Sequence, residues 1–264
     1  MEKITYKKYS WVVFRVAVLV YLGFGLLLYF NQRGFMYYPA MGDPKACAEF
    51  QKSGAQKIIQ NGTALYYRPG GKKLVVFYHG NAGTVCDRKF LADYFANQNI
   101  AYLFVEYAGY GDKRKTNQAA LEQNVRDAAE FIKGLSFDEL VIMGESLGTS
   151  LANYHVNLTA PEKLLLLSPY PSMAAAAAAH YPVYPTRWMI KDDYRTNWAG
   201  RNFSGQLLVI HGRKDNIIPS VLGEQFFAEA PFAEKEFFPV ENAGHNDLYE
   251  DAGVWKKIGA FITE

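Results

Sequence analysis

The chain is 264 residues long, enough for one domain of ordinary size plus an appendage, and half of it is apolar, which excludes intrinsic disorder. Its net charge of +2 is unevenly placed, with +4 in residues 1–33 and −2 in the remainder. A near-neutral domain lacks the basic footprint that phosphate backbones demand, so nucleic acid is not an expected partner.

Residues 11–30 read WVVFRVAVLVYLGFGLLLYF, apolar except for Arg15. About 20 such residues in a helix cross the roughly 30 Å of a bilayer's hydrocarbon. Arg15 lies one turn inside the span, where a long side chain snorkels to the headgroups. Lys3, Lys7 and Lys8 precede the span and only Arg33 closely follows it. The positive-inside rule then keeps the N-terminus in the cytoplasm and exports the rest. A cleaved signal peptide has the same basic start, but no small-x-small site follows this run, which is also longer than a usual signal core. A helix lying on the membrane surface needs a polar face, and this run has none. The expectation is a single-pass anchor at residues 1–33 and one folded domain at residues 34–264. That domain would be extracytoplasmic, periplasmic in a bacterium. Arg15 and Arg33 blur the charge contrast, so a cytoplasmic domain is the competing orientation.

Past the anchor comes an aromatic stretch, Phe35-Met36-Tyr37-Tyr38-Pro39, then loop and a short helix over residues 40–54. Runs 57–60 and 64–68 flank Asn61-Gly62, a hairpin signal because both residues accept positive φ. Short apolar runs at 74–78, 101–106, 139–143, 163–167 and 206–210 read as buried strands, with 236–240 as another. Helical patterns separate them. Over 116–133, Leu121, Val125, Ala128 and Ile132 recur at helical spacing, with Thr116 as cap. This alternation predicts an α/β fold, a mostly parallel sheet with helices on both faces and active groups at the carboxyl ends of strands. Residues 169–204, rich in proline and aromatics, are too long for a plain connection and are expected as a cap-like insertion after the sixth strand. Within them the alanine run 174–179 reads as helix. Cys47 and Cys86 form no metal-type pair; two buried free thiols are expected, with a disulfide as the alternative.

The chemistry sits in Gly144-Glu145-Ser146-Leu147-Gly148, preceded by a strand pattern and followed by a helix. This is the G-x-S-x-G nucleophile elbow in the setting it requires, which makes Ser146 the candidate nucleophile. A bare glycine turn is the bland reading of the same residues. A serine hydroxyl needs a base, and the base needs an acid to fix its tautomer. In this fold they follow in the order acid, then histidine. His245, flanked by Gly244 and Asn246 in a loop after the last strand, is the candidate base. Asp215, after the strand that ends near His211, is the candidate acid. Asp192, Asp193 and Asp247 are its rivals, and His211 reads as a packing residue. The developing oxyanion needs two aimed donors. Leu147 N–H is one, and the loop His79-Gly80-Asn81-Ala82-Gly83 supplies Asn81 N–H as the other. Tyr170 and Trp188 of the insertion are candidate walls of an acyl pocket, against the alternative that they only pack the insertion onto the core.

Further segments fall in order with these: Glu106-Tyr107-x-Gly-Tyr-Gly, His211-Gly212-x-x-Asp215-x-x-x-Pro219 and Gly244-His245-Asn246-Asp247. From about Phe35 onward the chain resembles the membrane-anchored α/β-hydrolase domain proteins, the group that includes protein depalmitoylases and bacterial homologues. The resemblance implies the α/β-hydrolase fold, an N-terminal anchor, and ester or thioester hydrolysis with neither metal nor organic cofactor. Residues 1–33 hold no cysteines of the kind that palmitoylated depalmitoylases carry, so their cytoplasmic lipid anchoring is not implied. The expected activity is that of a serine hydrolase cleaving a carboxylic ester or thioester through an acyl-enzyme. Its expected partners are a lipid-like or lipidated acyl substrate and the bilayer. A peptidase of the same fold is the first rival, though the chain has no room for the large gate such enzymes carry. A non-catalytic binding module is the second, though no triad member is missing.

Overall fold

The computed structural model describes residues 2–196, 198 and 203–264. Residues 197 and 199–202 of the predicted insertion lie outside the described residues.

Helix α1 (Glu2–Met36) is a single 35-residue element that runs past the predicted anchor boundary. It stops where Pro39 forces Tyr38 out of the helical region. From Lys8 onward it is long and apolar enough to cross a membrane, and its apolar side chains are mostly exposed. There follow β1 (Tyr38–Pro39), α2 (Pro44–Gln51), β2 (Gln56–Gln60), β3 (Thr63–Arg68), β4 (Lys73–Tyr78) and β5 (Ala82–Gly83). Next come α3 (Lys89–Asn97), β6 (Ala101–Val105), α4 (Gln118–Ile132), β7 (Glu139–Glu145), α5 (Leu147–Val156) and β8 (Lys163–Leu167). The insertion contributes α6 (Met173–His180) and α7 (Thr186–Met189), and the chain ends with β9 (Phe203–Gly212), α8 (Ser220–Glu229), β10 (Phe232–Val240) and α9 (Ala252–Thr263).

Among the described residues the main sheet has eight strands in the order β10-β9-β8-β7-β4-β6-β3-β2. The pairs from β10 to β6 are parallel; β3 runs antiparallel to β6 and to β2. Asn61 and Gly62 join β2 to β3 at φ of 50° and 88°, as that dipeptide predicts. Successive residues of a strand point to opposite faces, and both faces are covered. Leu74, Val76 and Tyr78 of β4 pack with Leu121 and Val125 of α4 and Leu151 of α5. Val75 and Phe77 pack on the other face with Leu91 and Phe95 of α3 and Val254 and Ile258 of α9. Burial on both faces is why these strands read as unbroken apolar runs.

Two expectations are corrected. The cap of α4 is Asn117, whose side chain accepts from Ala120 N–H at 3.0 Å, whereas Thr116 donates to the Ala108 carbonyl. Cys47 and Cys86 are not free thiols: they form a disulfide with Cα atoms 4.7 Å apart. It joins α2 to the short turn before α3, two segments 39 residues apart that composition alone could not bring together.

Candidate active site

Strand β7 delivers Ser146 to a sharp turn, with φ of 50° and ψ of −119°, before α5 begins. Such a conformation is strained for a residue with a Cβ and holds the hydroxyl clear of the backbone. The flanking glycines are required for close approach. A Cβ on Gly148 would collide with the carbonyl of Tyr78 in β4, and one on Gly144 would collide with the carbonyl of Gly148.

The structure brings the three residues of the predicted triad together. His245 Nε2 lies 2.9 Å from Ser146 Oγ, and His245 Nδ1 lies 2.7 Å from Asp215 Oδ2. Asp215 sits three residues past the end of β9, and His245 sits in the loop after β10, so both meet at the carboxyl edge of the sheet. Asp247 accepts from Gly244 N–H at 2.6 Å and shapes the histidine loop. Burial alone would raise the pKa of Asp215. Hydrogen bonds from His211 and His245 and from the amide of Ile218 outweigh it and hold the carboxyl well below its ordinary range. The amide of Ile217 at 2.9 Å and the hydroxyl of Ser168 at 2.9 Å complete its shell. His211 therefore supports the acid from behind: its Nε2 lies 3.3 Å from Asp215 Oδ2 and donates to the Ile218 carbonyl at 2.8 Å, so one N–H is shared between them. The other candidate acids lie elsewhere. Asp192 is held by Arg33 and Tyr37, and Asp193 accepts from Ala174 N–H.

Leu147 and Asn81 both line the cavity beside Ser146, and among the described residues neither backbone amide is paired with an acceptor. The Asn81 side chain is tied down by the Met36 carbonyl at 2.7 Å and the Tyr110 hydroxyl at 2.7 Å. His79 is buried, stacked on Tyr107 with ring centroids 4.0 Å apart and paired with Glu106 at 3.1 Å. The loop is thus fixed from below by a histidine and from the side by the end of α1.

One feature escaped sequence reasoning. Glu145, immediately before the candidate nucleophile, accepts from Gly80 N–H at 2.9 Å, Arg88 Nε at 2.6 Å and Tyr249 hydroxyl at 3.0 Å. Burial would raise its pKa, but Arg88, the Gly80 amide and Tyr249 together lower it. Its position inside the elbow was the available signal; its partners, more than 50 residues away along the chain, gave none.

Above the triad lies a cavity of about 1040 Å³. Its walls are α1, the Gly80–Ala82 loop region, the insertion and the histidine loop. Tyr170 is among the lining residues, 2% exposed, with its hydroxyl pushed up to about 12 by burial. Trp188 is placed otherwise than expected: it is 82% exposed and outside the lining. The single turn of α7 aims Thr186 and Met189 at the cavity and turns Trp188 outward. Among the described residues no group of three or more His, Cys, Asp or Glu side chains is placed to hold a metal ion.

No family model matches the chain. It is 29% identical over 266 residues to an uncharacterized protein of Mycobacterium tuberculosis, covering 96% of this chain and 94% of that protein. It is 27% identical over 208 residues to the lysophosphatidylserine lipase ABHD12 of Macaca fascicularis, covering 69% of this chain and 52% of that relative. An esterase of Pyrococcus furiosus superposes with a TM-score of 0.65 at 14% identity, covering 86% of this chain and 97% of that one. The elbow, the parallel sheet and these likenesses agree: the chain has the α/β-hydrolase fold and is similar in sequence to α/β-hydrolase domain proteins.

Proposed function

We propose that this protein is a serine hydrolase that cleaves carboxylic ester or thioester bonds of lipid-like substrates through an acyl-enzyme. The observation that carries the reading is the unbroken chain from Ser146 Oγ through the His245 ring to Asp215, at the floor of a largely apolar cavity.

In the first half-reaction Ser146 Oγ attacks the acyl carbon as its proton passes to His245 Nε2. Asp215 keeps Nδ1 protonated and stabilises the imidazolium that forms. The oxyanion accepts from Leu147 N–H and Asn81 N–H. His245 then returns the proton to the departing alcohol or thiol. In the second half-reaction water attacks the acyl-serine, with His245 again as base, and the free acid leaves. Every step uses side chains and backbone amides of this chain.

The lipid-like substrate is supported by the apolar walls and by the activity named for the ABHD12 relative. Residues 1–33 are the anchor and 34–264 the catalytic domain on the extracytoplasmic side. That orientation is supported by the lysine-rich leader and by the disulfide between Cys47 and Cys86, because disulfides persist in oxidising compartments. The test is covalent labelling by a fluorophosphonate probe together with hydrolysis of p-nitrophenyl esters. Ser146→Ala is expected to abolish labelling, and Ser146→Ala and His245→Ala each to lower kcat on the order of 10⁴-fold. Labelling of the alanine variant at position 146 would refute the nucleophile.

A further inference from the structure

Helix α1 is longer than a bilayer requires. Its 35 residues span about 52 Å, against roughly 30 Å of hydrocarbon. Where the domain touches it therefore reports the depth at which the domain sits. The tip between α6 and α7 reaches far down the helix. Tyr184 stacks on Tyr21 with ring centroids 4.6 Å apart and planes within 3°. Tyr184 hydroxyl donates to the Tyr21 carbonyl at 2.9 Å, and Tyr21 hydroxyl donates to the Val183 carbonyl at 2.9 Å. Gly25 lies beside the same ring, where a Cβ would press on it at 3.0 Å. Tyr21 is nine residues before Phe30, the end of the apolar run, or about 14 Å along the helix axis. Val183 and Tyr184 are thus level with the middle of the apolar run.

The composition of the tip suits that depth. His180-Tyr181-Pro182-Val183-Tyr184-Pro185 carries no lysine, arginine or acid, and its two prolines have no N–H to satisfy. Tyr181 N–H goes to the Ala177 carbonyl, Tyr184 N–H to the Tyr181 carbonyl and Thr186 N–H to the Tyr184 carbonyl. Val183 is 69% exposed and contributes nothing to the domain's core. Charge begins again where the apolar run of α1 stops. Gln32 donates to the Met189 carbonyl at 3.1 Å, Lys191 lies 4.1 Å over the Tyr29 ring, and Arg33 grips Asp192. Trp188 projects at that same level, next to Arg187, as interfacial tryptophans and snorkelling arginines do.

The cavity continues the pattern. Its α1 wall includes Leu28 and Tyr29, which lie inside the apolar run, and the facing wall includes Tyr181, Tyr184 and Met189. An apolar crevice therefore leads from the last turn of the apolar run, beside Tyr184, to Ser146. We propose that the α6–α7 tip is a second membrane-inserting element, and that the crevice between it and α1 is a lateral portal for the acyl chain of a bilayer-resident amphiphile. This inference rests on reading α1 as a membrane span and Ser146 as nucleophile.

Insertion is tested without reference to activity. Cys47 and Cys86 are paired, so a nitroxide placed through Val183→Cys labels one site. The full-length protein is reconstituted in vesicles of phosphatidylcholine and phosphatidylglycerol, with labels through Leu19→Cys in α1 and Lys52→Cys on the domain surface as references. Dissolved oxygen is expected to relax the label at 183 more strongly than a water-soluble nickel chelate does, as at 19 and opposite to 52. A label at 183 as open to nickel as that at 52, with 19 inserted, overturns the second element alone. Nickel access at 19 overturns the anchor and the inference with it. The portal is tested by Val183→Lys and, separately, Trp188→Lys. Hydrolysis of a long-chain ester held in vesicles is expected to fall tenfold or more, while that of soluble p-nitrophenyl butyrate stays within twofold. Equal rates on both substrates relative to the unmodified protein, or parallel losses on both in both variants, overturn the portal.

Discussion

The Glu145 carboxylate and the Gly80 amide are 2.9 Å apart, so the residue before Ser146 holds the loop that carries Asn81, the proposed second oxyanion donor. Arg88 and Tyr249 fix that carboxylate in turn. Losing one oxyanion donor outright costs about 10²–10³ in kcat. Glu145→Ala, which slackens the donor without removing it, is expected to lower kcat about 10- to 100-fold and leave KM within about threefold. Glu145→Gln keeps an acceptor for Gly80 and is expected to recover part of the loss. Steady-state kinetics on a soluble ester, alongside melting curves for both variants, check this. A fall in melting temperature with unchanged kcat would make Glu145 a stability residue only.

Asp215 gives a pH signature. Its folded-state pKa lies below the ordinary aspartate value of about 3.9, so between the two values the unfolded chain binds more protons than the native one. Asp215 therefore stabilises the fold fully above about pH 4, and that contribution is lost as pH falls through the window beneath it. Asp215→Asn is expected to melt at lower temperature than the unmodified protein at pH 7, with the gap narrowing as pH drops below 4. Its kcat at neutral pH is expected to fall about 10⁴-fold, because the His245 ring loses its oriented tautomer. Melting temperatures from pH 7 to pH 3 follow the first effect, and esterase assays the second.

These features were not equally legible in the sequence. The elbow is a local motif: strand, two close-packed glycines and helix all fall within a few residues of Ser146. Asp215 and His245 could be singled out because chain order and loop composition narrow the choice, although 99 residues separate Ser146 from His245. Glu145's clamp was not, since Arg88 and Tyr249 meet it only through the fold. Trp188 was misplaced because aromatic content says nothing about which side of a one-turn helix faces the cavity. The same limit hid the role of α1 as a cavity wall. A helix that is apolar all round shows no face, so only the structure distinguishes Leu28 and Tyr29 from their neighbours.

The disulfide closes a segment of 39 residues between α2 and the turn that carries Arg88. By the chain-entropy relation a loop of that length stabilises the fold by about 4 kcal/mol. At about 2–4 °C per kcal/mol for a domain of this size, reduction or Cys86→Ser is expected to lower the melting temperature by on the order of 10 °C. Because Arg88 follows Cys86 by two residues and contacts Glu145, kcat is expected to fall as well, by less than Glu145→Ala causes. Calorimetry with and without dithiothreitol reads the first effect. An unchanged melting temperature would mean that the bond constrains nothing beyond what packing already does.

Arg33 and Asp192 join α1 to the insertion, and their removal is expected to be unequal. Arg33 approaches Asp192 with Nε at 2.8 Å and Nη2 at 3.0 Å, while Tyr37 hydroxyl adds a third bond at 3.1 Å. The arginine side chain is 52% exposed and the aspartate 6%. Without Asp192, Arg33 turns to water and its charge remains solvated. Without Arg33, the buried carboxylate keeps, among the described residues, only the tyrosine. An uncompensated buried charge is the costlier outcome. With the pair half open to solvent, Arg33→Met is expected to destabilise by about 1–3 kcal/mol and Asp192→Asn by less than about 1 kcal/mol. Both variants loosen the contact of α1 with the cavity wall, so the vesicle-held ester is expected to lose more turnover than the soluble one in each. Chemical denaturation in detergent micelles ranks the two stabilities. Equal losses would indicate that Asp192 is hydrated once the arginine is gone, and that the strap acts as a surface ion pair.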